Sequence, residues 1–223
     1  MAIVSNLDLI RRVPLLSNLS PAQSSLVANL ISKKRYKRGE LLIEEGKTSY
    51  ALFVILSGKV RVLSQDERGR EVIMAVLDAG DCVGEMSLID GEPHSATVRA
   101  EAQTDVLVLN REAFLRCMRE NIQLAEAVMA GLVRRLRRAN KQIQSLALMD
   151  VYGRVLSVLQ EMAQEDEVGR KVLRKKVSRQ DVAKMVGASR EMVSRVMKYF
   201  ENDGTLQKQA DGSFLLTGTQ SLG

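Results

Sequence analysis

Between Lys37 and Asn110 apolar residues come in short runs broken by glycine: ELLIEEG, ALFVILSGKVRVLS, EVIMAVLDAGD, SATVRAEAQ and TDVLVLN. Val60 and Val62, and Val106 and Val108, alternate with other residues, and glycines at 39, 46, 58, 69, 80, 84 and 91 mark turns at strand-like spacing. The pattern predicts an all-β sandwich or roll built from hairpins. Upstream, residues 21–32 (PAQSSLVANLIS) place Leu26, Leu30 and Ile31 at helical spacing behind a Ser20-Pro21 start, which predicts a short amphipathic helix.

After Asn110 the period changes. Helix formers run almost without interruption from 111 to 146, and Leu132, Leu136, Ala139, Ile143 and Leu146 are separated by four, three, four and three residues. That is the heptad spacing of a helix seam, and one helix this long has more apolar surface than a small roll can cover. A homodimer along it is the expectation. Beyond a short hinge near Leu148 to Val151, Tyr152 to Ala163 carries Val155, Leu156, Val158, Leu159 and Met162 at helical spacing, and EDEVGRK reads as a polar connector. The expected class is α+β: a β-roll over 1–110, a long helix with its hinge over 111–148, and a second folded unit over 149–223.

Composition narrows the chemistry. With Cys82, Cys117 and the single histidine His94, neither a disulfide framework nor a Cys/His metal cluster can be assembled. Four cysteinyl ligands for an iron-sulfur cluster are equally out of reach. No window approaches the ~18 uninterrupted apolar residues of a membrane span, and no secretory leader pattern opens the chain, so a cytoplasmic protein without membrane partners is expected. The formal charge is +6, but its distribution says more: between Lys171 and Tyr199 there are nine basic side chains and two acidic ones. A polyanionic partner is expected there.

The stretch from Ser178 to Phe200 is the most informative. Ser178 can cap a first helix with Val182, Ala183 and Val186 inward, Gly187 supplies a tight turn, and Ser189 can cap a second helix. On that second helix Val193, Val196, Met197 and Phe200 fall on one side, Arg190, Glu191, Ser194 and Arg195 on the other. An arginine fork suits the O6 and N7 acceptors of guanine, and a carboxylate suits the N4 amino group of cytosine. Glu191 is the telling residue, because a carboxylate on a face that only neutralised phosphates would weaken attraction. The expected DNA surface comprises Ser178, Arg179, Gln180, Ser189, Arg190, Glu191, Ser194, Arg195 and Lys198. Lys175 and Lys176 are expected on phosphates, and Leu206 to Leu216, centred on Asp211-Gly212, reads as a β-wing hairpin.

With LFVILSGKVRV, VGEMSLIDGEPHSATVRA, LALMDVYGRV and VGASREMVSRV in this order, nearly the whole chain resembles the CRP/FNR family of bacterial transcription regulators. The resemblance implies a dimer on double-stranded DNA, with RNA polymerase as a further partner. In the cyclic-AMP-responsive branch the pattern S-R-E-x-V-x-R makes the base contacts, which implies TGTGA-like half-sites in a near-palindrome read by Arg190, Glu191 and Arg195. It also implies a nucleotide effector held by a phosphate-binding cassette, here Gly84, Glu85, Met86 and Ser87 through His94, Ser95 and Ala96. The family's phosphate-binding arginine corresponds to His94, whose neutral imidazole has one donor and no fixed charge. Its adenine-contacting helix positions correspond to Ala139 and Asn140. Three outcomes stay open: cyclic AMP or cyclic GMP binds; cyclic di-GMP binds with help from Arg134, Arg135, Arg137 and Arg138; or the pocket is vestigial. An enzyme using Glu85 and His94 as an acid-base pair is disfavoured, because no nucleophile, base and orienting group come together.

Overall fold

The computed structural model describes Ala28, residues 30–174 and residues 177–217. They form two compact units, divided between Arg135 and Leu136. In the first unit eight strands form two antiparallel four-stranded sheets: β1 (Ile31–Tyr36), β2 (Leu41–Ile43), β3 (Ala51–Ser57), β4 (Lys59–Gln65), β5 (Glu71–Asp78), β6 (Cys82–Val83), β7 (Thr97–Ala100) and β8 (Thr104–Asn110). The orders are β1-β8-β3-β6 and β2-β7-β4-β5. Three helices accompany them: α1 (Glu85–Asp90), α2 (Arg111–Glu120) and the long α3 (Ile122–Leu148), which continues past the division between units.

β3 explains why its sequence, ALFVILS, does not alternate. Leu52 and Val54 join a cluster with Leu107, Leu109, Phe114 and Val128, while Phe53 and Ile55 join another with Val60, Leu77, Val83 and Val98. Successive side chains point to opposite faces, and both faces are covered, one by the facing sheet and one by helices. β8 divides in the same way, Leu107 and Leu109 to the helices and Val106 to the other sheet. Cys117 is buried in the helix-side cluster and Cys82 packs at its edge, both as small core fillers.

Two expectations are corrected in this unit. The upstream helix was expected to reach Ser32, but Leu30 is in a turn and Ile31 opens β1, pairing Ile31 with Leu109 through Tyr36 with Thr104. Residues 21–27 and Asn29 of that segment lie outside the described residues. β1 is an edge strand carrying Lys33, Lys34 and Arg35, and its pairing with β8 outweighs the weak helical spacing of two apolar residues. The single helix expected over 111–146 is two. Asn121, with extended backbone, closes α2 through its N–H to the Cys117 carbonyl and opens α3 with its own backbone carbonyl, which accepts from Ala125 N–H.

The second unit contains α4 (Val151–Met162), β9 (Gln164–Glu165), β10 (Lys171–Leu173), α5 (Arg179–Val186), α6 (Arg190–Asn202), β11 (Leu206–Lys208) and β12 (Phe214–Leu216). The strands form one antiparallel sheet in the order β11-β12-β10-β9. Val155, Leu159, Val182, Val186, Val193, Val196 and Phe200 are the centre of its core. Asp150 caps α4 by accepting from Gly153 N–H at 2.8 Å, so the chain break between α3 and α4 falls on Met149 and Asp150. EDEVGRK is not a mere connector but the turn of the β9–β10 hairpin. Asp166 Oδ1 accepts from Val168 N–H at 3.0 Å and Arg170 N–H at 2.8 Å, and Gly169 adopts φ +78°. Residues 66–70 (DERGR) build the same turn between β4 and β5. No helix among the described residues is long and apolar enough to cross a membrane.

The pairing of β1 with β8 is reinforced by Asp105, which receives the Arg35 fork at 2.6 and 2.9 Å and Lys33 Nζ at 2.9 Å. Hydrogen bonding from Arg35 is the main reason its carboxyl is held down at about 2. A depressed carboxyl contributes stability above its unfolded value of about 3.9 and loses it as pH falls through the folded value. Both cations are largely in water, which screens the gain. Asp105→Asn is expected to cost about 1 kcal/mol at pH 7, with the gap to wild type closing between about pH 4 and pH 2 in denaturant melts.

Candidate nucleic-acid interface and effector cassette

Local chemistry sets the geometry of the α5–α6 pair. Ser178 Oγ accepts from Asp181 N–H at 3.3 Å and starts α5; Gly187, at φ +64° and ψ +41°, ends it. That left-handed turn suits glycine, and its N–H closes onto the Ala183 carbonyl. Ser189 then caps α6, accepting from Met192 N–H at 3.2 Å. The buried side of α6 is Val193, Val196, Met197 and Phe200. Ser178, Arg179, Gln180, Ser189, Arg190, Glu191, Arg195 and Lys198 are exposed, and Ser194 is half-buried.

Among the described residues, Arg179 alone of these side chains has an ion-pair partner, Glu201 at 3.8 Å. The Glu191 carboxyl is held below the usual carboxylate range by its own backbone N–H at the start of α6 and by the Ser189 hydroxyl, with Arg190 and Arg195 adding to the effect. It is therefore an ionised acceptor at neutral pH, flanked by two guanidinium groups. The β11–β12 hairpin pairs Leu206 with Leu216 and Lys208 with Phe214, and Asp211 Oδ1 accepts from the Ser213 N–H and hydroxyl across the turn. Lys175 and Lys176 lie outside the described residues.

The cassette belongs to the first unit. β6 pairs with β3 through Phe53 and Val83, which brings Gly84 against the Ala51 carbonyl: a β-carbon there would meet that oxygen at 2.4 Å. Gly84, at φ +92°, is thus required by its own backbone neighbour. α1 follows, with Leu88 fully buried in the helix-side cluster, Glu85 and Ser87 buried, and Met86 exposed. Ser95 is exposed and Ala96 half-buried. Ala139 and Asn140 are exposed residues of α3 in the second unit.

Two side chains of the cassette have partners that the sequence did not reveal. Arg135 Nη1 lies 2.5 Å from Glu85 Oε1, and its Nη2 donates to the Cys82 carbonyl. Glu85 Oε2 is buried and has no partner among the described residues. Burial pushes the Glu85 carboxyl above its ordinary range, opposed by Arg135, and pushes the Cys82 thiol up to about 12, which leaves that sulfur unreactive. His94 is buried, with Nε2 2.7 Å from Ser49 Oγ and Nδ1 2.9 Å from Ser87 Oγ. Burial also lowers its pKa, which favours the neutral ring. Arg135 had a signal, the arginine cluster of residues 134–138, but spacing could not choose among its members. Ser49 had none.

Residues 33–121 match the model of the cyclic nucleotide-binding domain, and residues 176–206 match that of bacterial regulatory proteins of the crp family. The cAMP-activated global transcriptional regulator CRP of Escherichia coli O6:H1 is 31% identical over 178 residues, covering 77% of this chain and 83% of that protein. The cAMP-activated global transcriptional regulator Vfr of Pseudomonas aeruginosa is 32% identical over 181 residues, with the same coverage. Among solved structures, the c-di-GMP-responsive global regulator CLP of Xanthomonas campestris shares the fold with a TM-score of 0.75 at 24% identity, over 90% of this chain and all of that one. The catabolite activator protein of Thermus thermophilus matches at 29% identity with a TM-score of 0.53, over 92% of this chain and 93% of that one.

Gly84 and Gly91 both have positive φ, but only Gly84 has backbone in the way. Gly91→Ala is expected to cost about 1 kcal/mol, and Gly84→Ala at least about 2 kcal/mol, because strain and a backbone clash add. Chemical denaturation of the two variants side by side checks the difference.

Proposed function

Because the chain belongs to the CRP/FNR family of bacterial transcription regulators, we propose that it works as a homodimer whose paired α6 helices read a near-palindromic DNA site, switched by a nucleotide held in the roll. The observation that carries the DNA reading is the face of α6: Glu191 ionised between Arg190 and Arg195, all exposed, with four apolar residues anchoring the opposite side. Arg190 and Arg195 fork onto guanines and Glu191 accepts from a cytosine amino group, in half-sites of the TGTGA type. Ser178, Arg179, Gln180, Ser189, Ser194 and Lys198 hold the phosphates and the register around them. RNA polymerase is the natural further partner of such a regulator.

The dimer reading is supported by α3. Leu136, Ile143 and Leu146 keep 62%, 63% and 58% of their surface exposed, an apolar stripe left uncovered among the described residues. Two such stripes packed as a seam would pair the two α6 helices, and a palindromic site requires such a pair about one DNA turn apart. The roll up to Asn110 then senses, residues 111–148 dimerise, and residues from 149 onward read.

The nucleotide reading is supported by Glu85 Oε2, a buried acceptor with nothing on it, suited to a ribose hydroxyl. Cyclic AMP, cyclic GMP and cyclic di-GMP are the effectors to test, and each acts only through its different affinity for the DNA-competent and DNA-incompetent states. A second reading, a ligand-independent regulator, is favoured by His94, both of whose ring nitrogens are already engaged. Calorimetric titration with the three nucleotides, with and without operator DNA, separates the two: no heat and no change in DNA affinity leaves the ligand-independent regulator.

Arg190→Ala and Arg195→Ala are expected to cost about 1–3 kcal/mol on a specific site and to flatten the preference at one base pair of each half-site. Lys198→Ala should weaken specific and non-specific DNA alike, with a shallower salt dependence. Selection of binding sites from a random pool, at fixed salt, distinguishes these patterns; a uniform loss from all three variants refutes the base-reading assignment. Sedimentation of the intact chain should show a dimer at micromolar concentration, and a monomer there overturns the seam.

A further inference from the structure

A nucleotide effector brings at least one phosphate into the roll, and an anion leaving water needs a cation or several N–H donors to meet it. The family pattern would put that cation at position 94. Here the position holds a neutral imidazole, buried, with hydroxyls on both nitrogens. A neutral ring has one donor and one acceptor, so its capacity is used. Its effect is to brace two segments of the cassette, the loop bearing Ser49 and the helix bearing Ser87.

A positive charge does reach the cassette, at Glu85. Arg135 holds Glu85 Oε1 at 2.5 Å and the Cys82 carbonyl, while 38% of its side chain stays open to solvent. A guanidinium has five N–H donors, and these two acceptors leave others free. The same carboxylate offers its second oxygen, buried and unpartnered. A free acceptor and a cation with spare donors therefore meet at one buried carboxylate, the pairing that a hydroxyl next to a phosphate requires.

We propose that Arg135, not His94, is the residue that binds the effector's phosphate in this chain. This rests on the reading of the roll as a nucleotide site. Arg135 keeps its contacts with Glu85 and Cys82 and adds the phosphate with its remaining donors, while the ligand hydroxyl fills Glu85 Oε2. The site's cation is then carried by α3 and no longer by the roll's own loop. Effector binding thus fastens α3 to the cassette directly, and loss of the effector leaves α3 held by the Glu85 and Cys82 contacts alone.

The test is calorimetry on the intact protein with cyclic AMP, cyclic GMP and cyclic di-GMP at two salt concentrations, following whichever nucleotide wild type binds. Arg135→Gln should weaken binding at least about tenfold and flatten its salt dependence, and Arg135→Lys should recover part of the affinity because it keeps the charge without the fork. Lys141→Gln, an exposed charge removed from the same helix, should change affinity less than about threefold, as expected of a screened surface charge. His94→Gln should lose less than Arg135→Gln. If Arg135→Gln unfolds by releasing a buried carboxylate, the pair Glu85→Gln and Glu85→Gln/Arg135→Gln gives the same comparison. Affinity of Arg135→Gln within about threefold of wild type, or a larger loss from His94→Gln, overturns the proposal while leaving a nucleotide site in place. A wild-type protein that binds none of the three sinks the nucleotide reading itself.

Discussion

Much of the first unit hangs on the burial of β3 and β8 on both faces. A strand covered on one side leaves its other face to water and can drift in register; one covered on both must match two sets of neighbours at once. Phe53 and Ile55 are locked against the facing sheet while Leu52 and Val54 are locked against helices. That double constraint fixes β6, which pairs with β3, and so fixes where Gly84 turns the chain. The cassette follows within a few residues: Leu88 anchors α1 in the helix-side core, and Glu85 is drawn under it, away from water. A carboxylate would not be buried for its own sake. It is tolerated because Arg135 meets one of its oxygens.

The reader uses the opposite allocation of charge. Its apolar residues face a single core, and its ionic residues stay in water, where salt screens them. Three serine or asparagine caps, at Asn110, Ser178 and Ser189, start helices by the same bond from side-chain oxygen to an N–H three residues on. The DERGR and DEVGR turns show the same economy across units, one aspartate collecting two backbone N–H groups while glycine takes the left-handed position. Local solutions recur because the backbone poses the same problem wherever a strand must reverse.

The family relationship and the departures from it bear on different parts of the molecule. The α5–α6 segment carries the S-R-E-x-V-x-R spelling with its charged residues exposed, whereas the cassette carries Gly84, Glu85 and an imidazole at position 94. Burial of that imidazole between two hydroxyls makes it a structural brace. The positive charge that meets the buried carboxylate comes from a helix, Arg135 of α3.

Features that depend on neighbours in the chain were legible in the sequence itself. Turn glycines, the caps at Ser178 and Ser189, the heptad spacing of α3 and the two sides of α6 all follow from periods and from bonds spanning three or four residues. So does the placement of Arg190, Glu191 and Arg195 on the exposed side of α6. Pairing across long separations was not legible. β1 carries no alternating pattern and becomes a strand only because β8, about seventy residues away, offers it an edge and Asp105 a partner. The break at Asn121 is hidden among helix formers on both sides. Ser49 reaches His94 across forty-five residues, and Arg135 reaches Glu85 across fifty. Such contacts are set by the packing of whole sheets and helices, so only the tertiary structure could show that His94 is already satisfied and that Arg135 reaches the carboxylate.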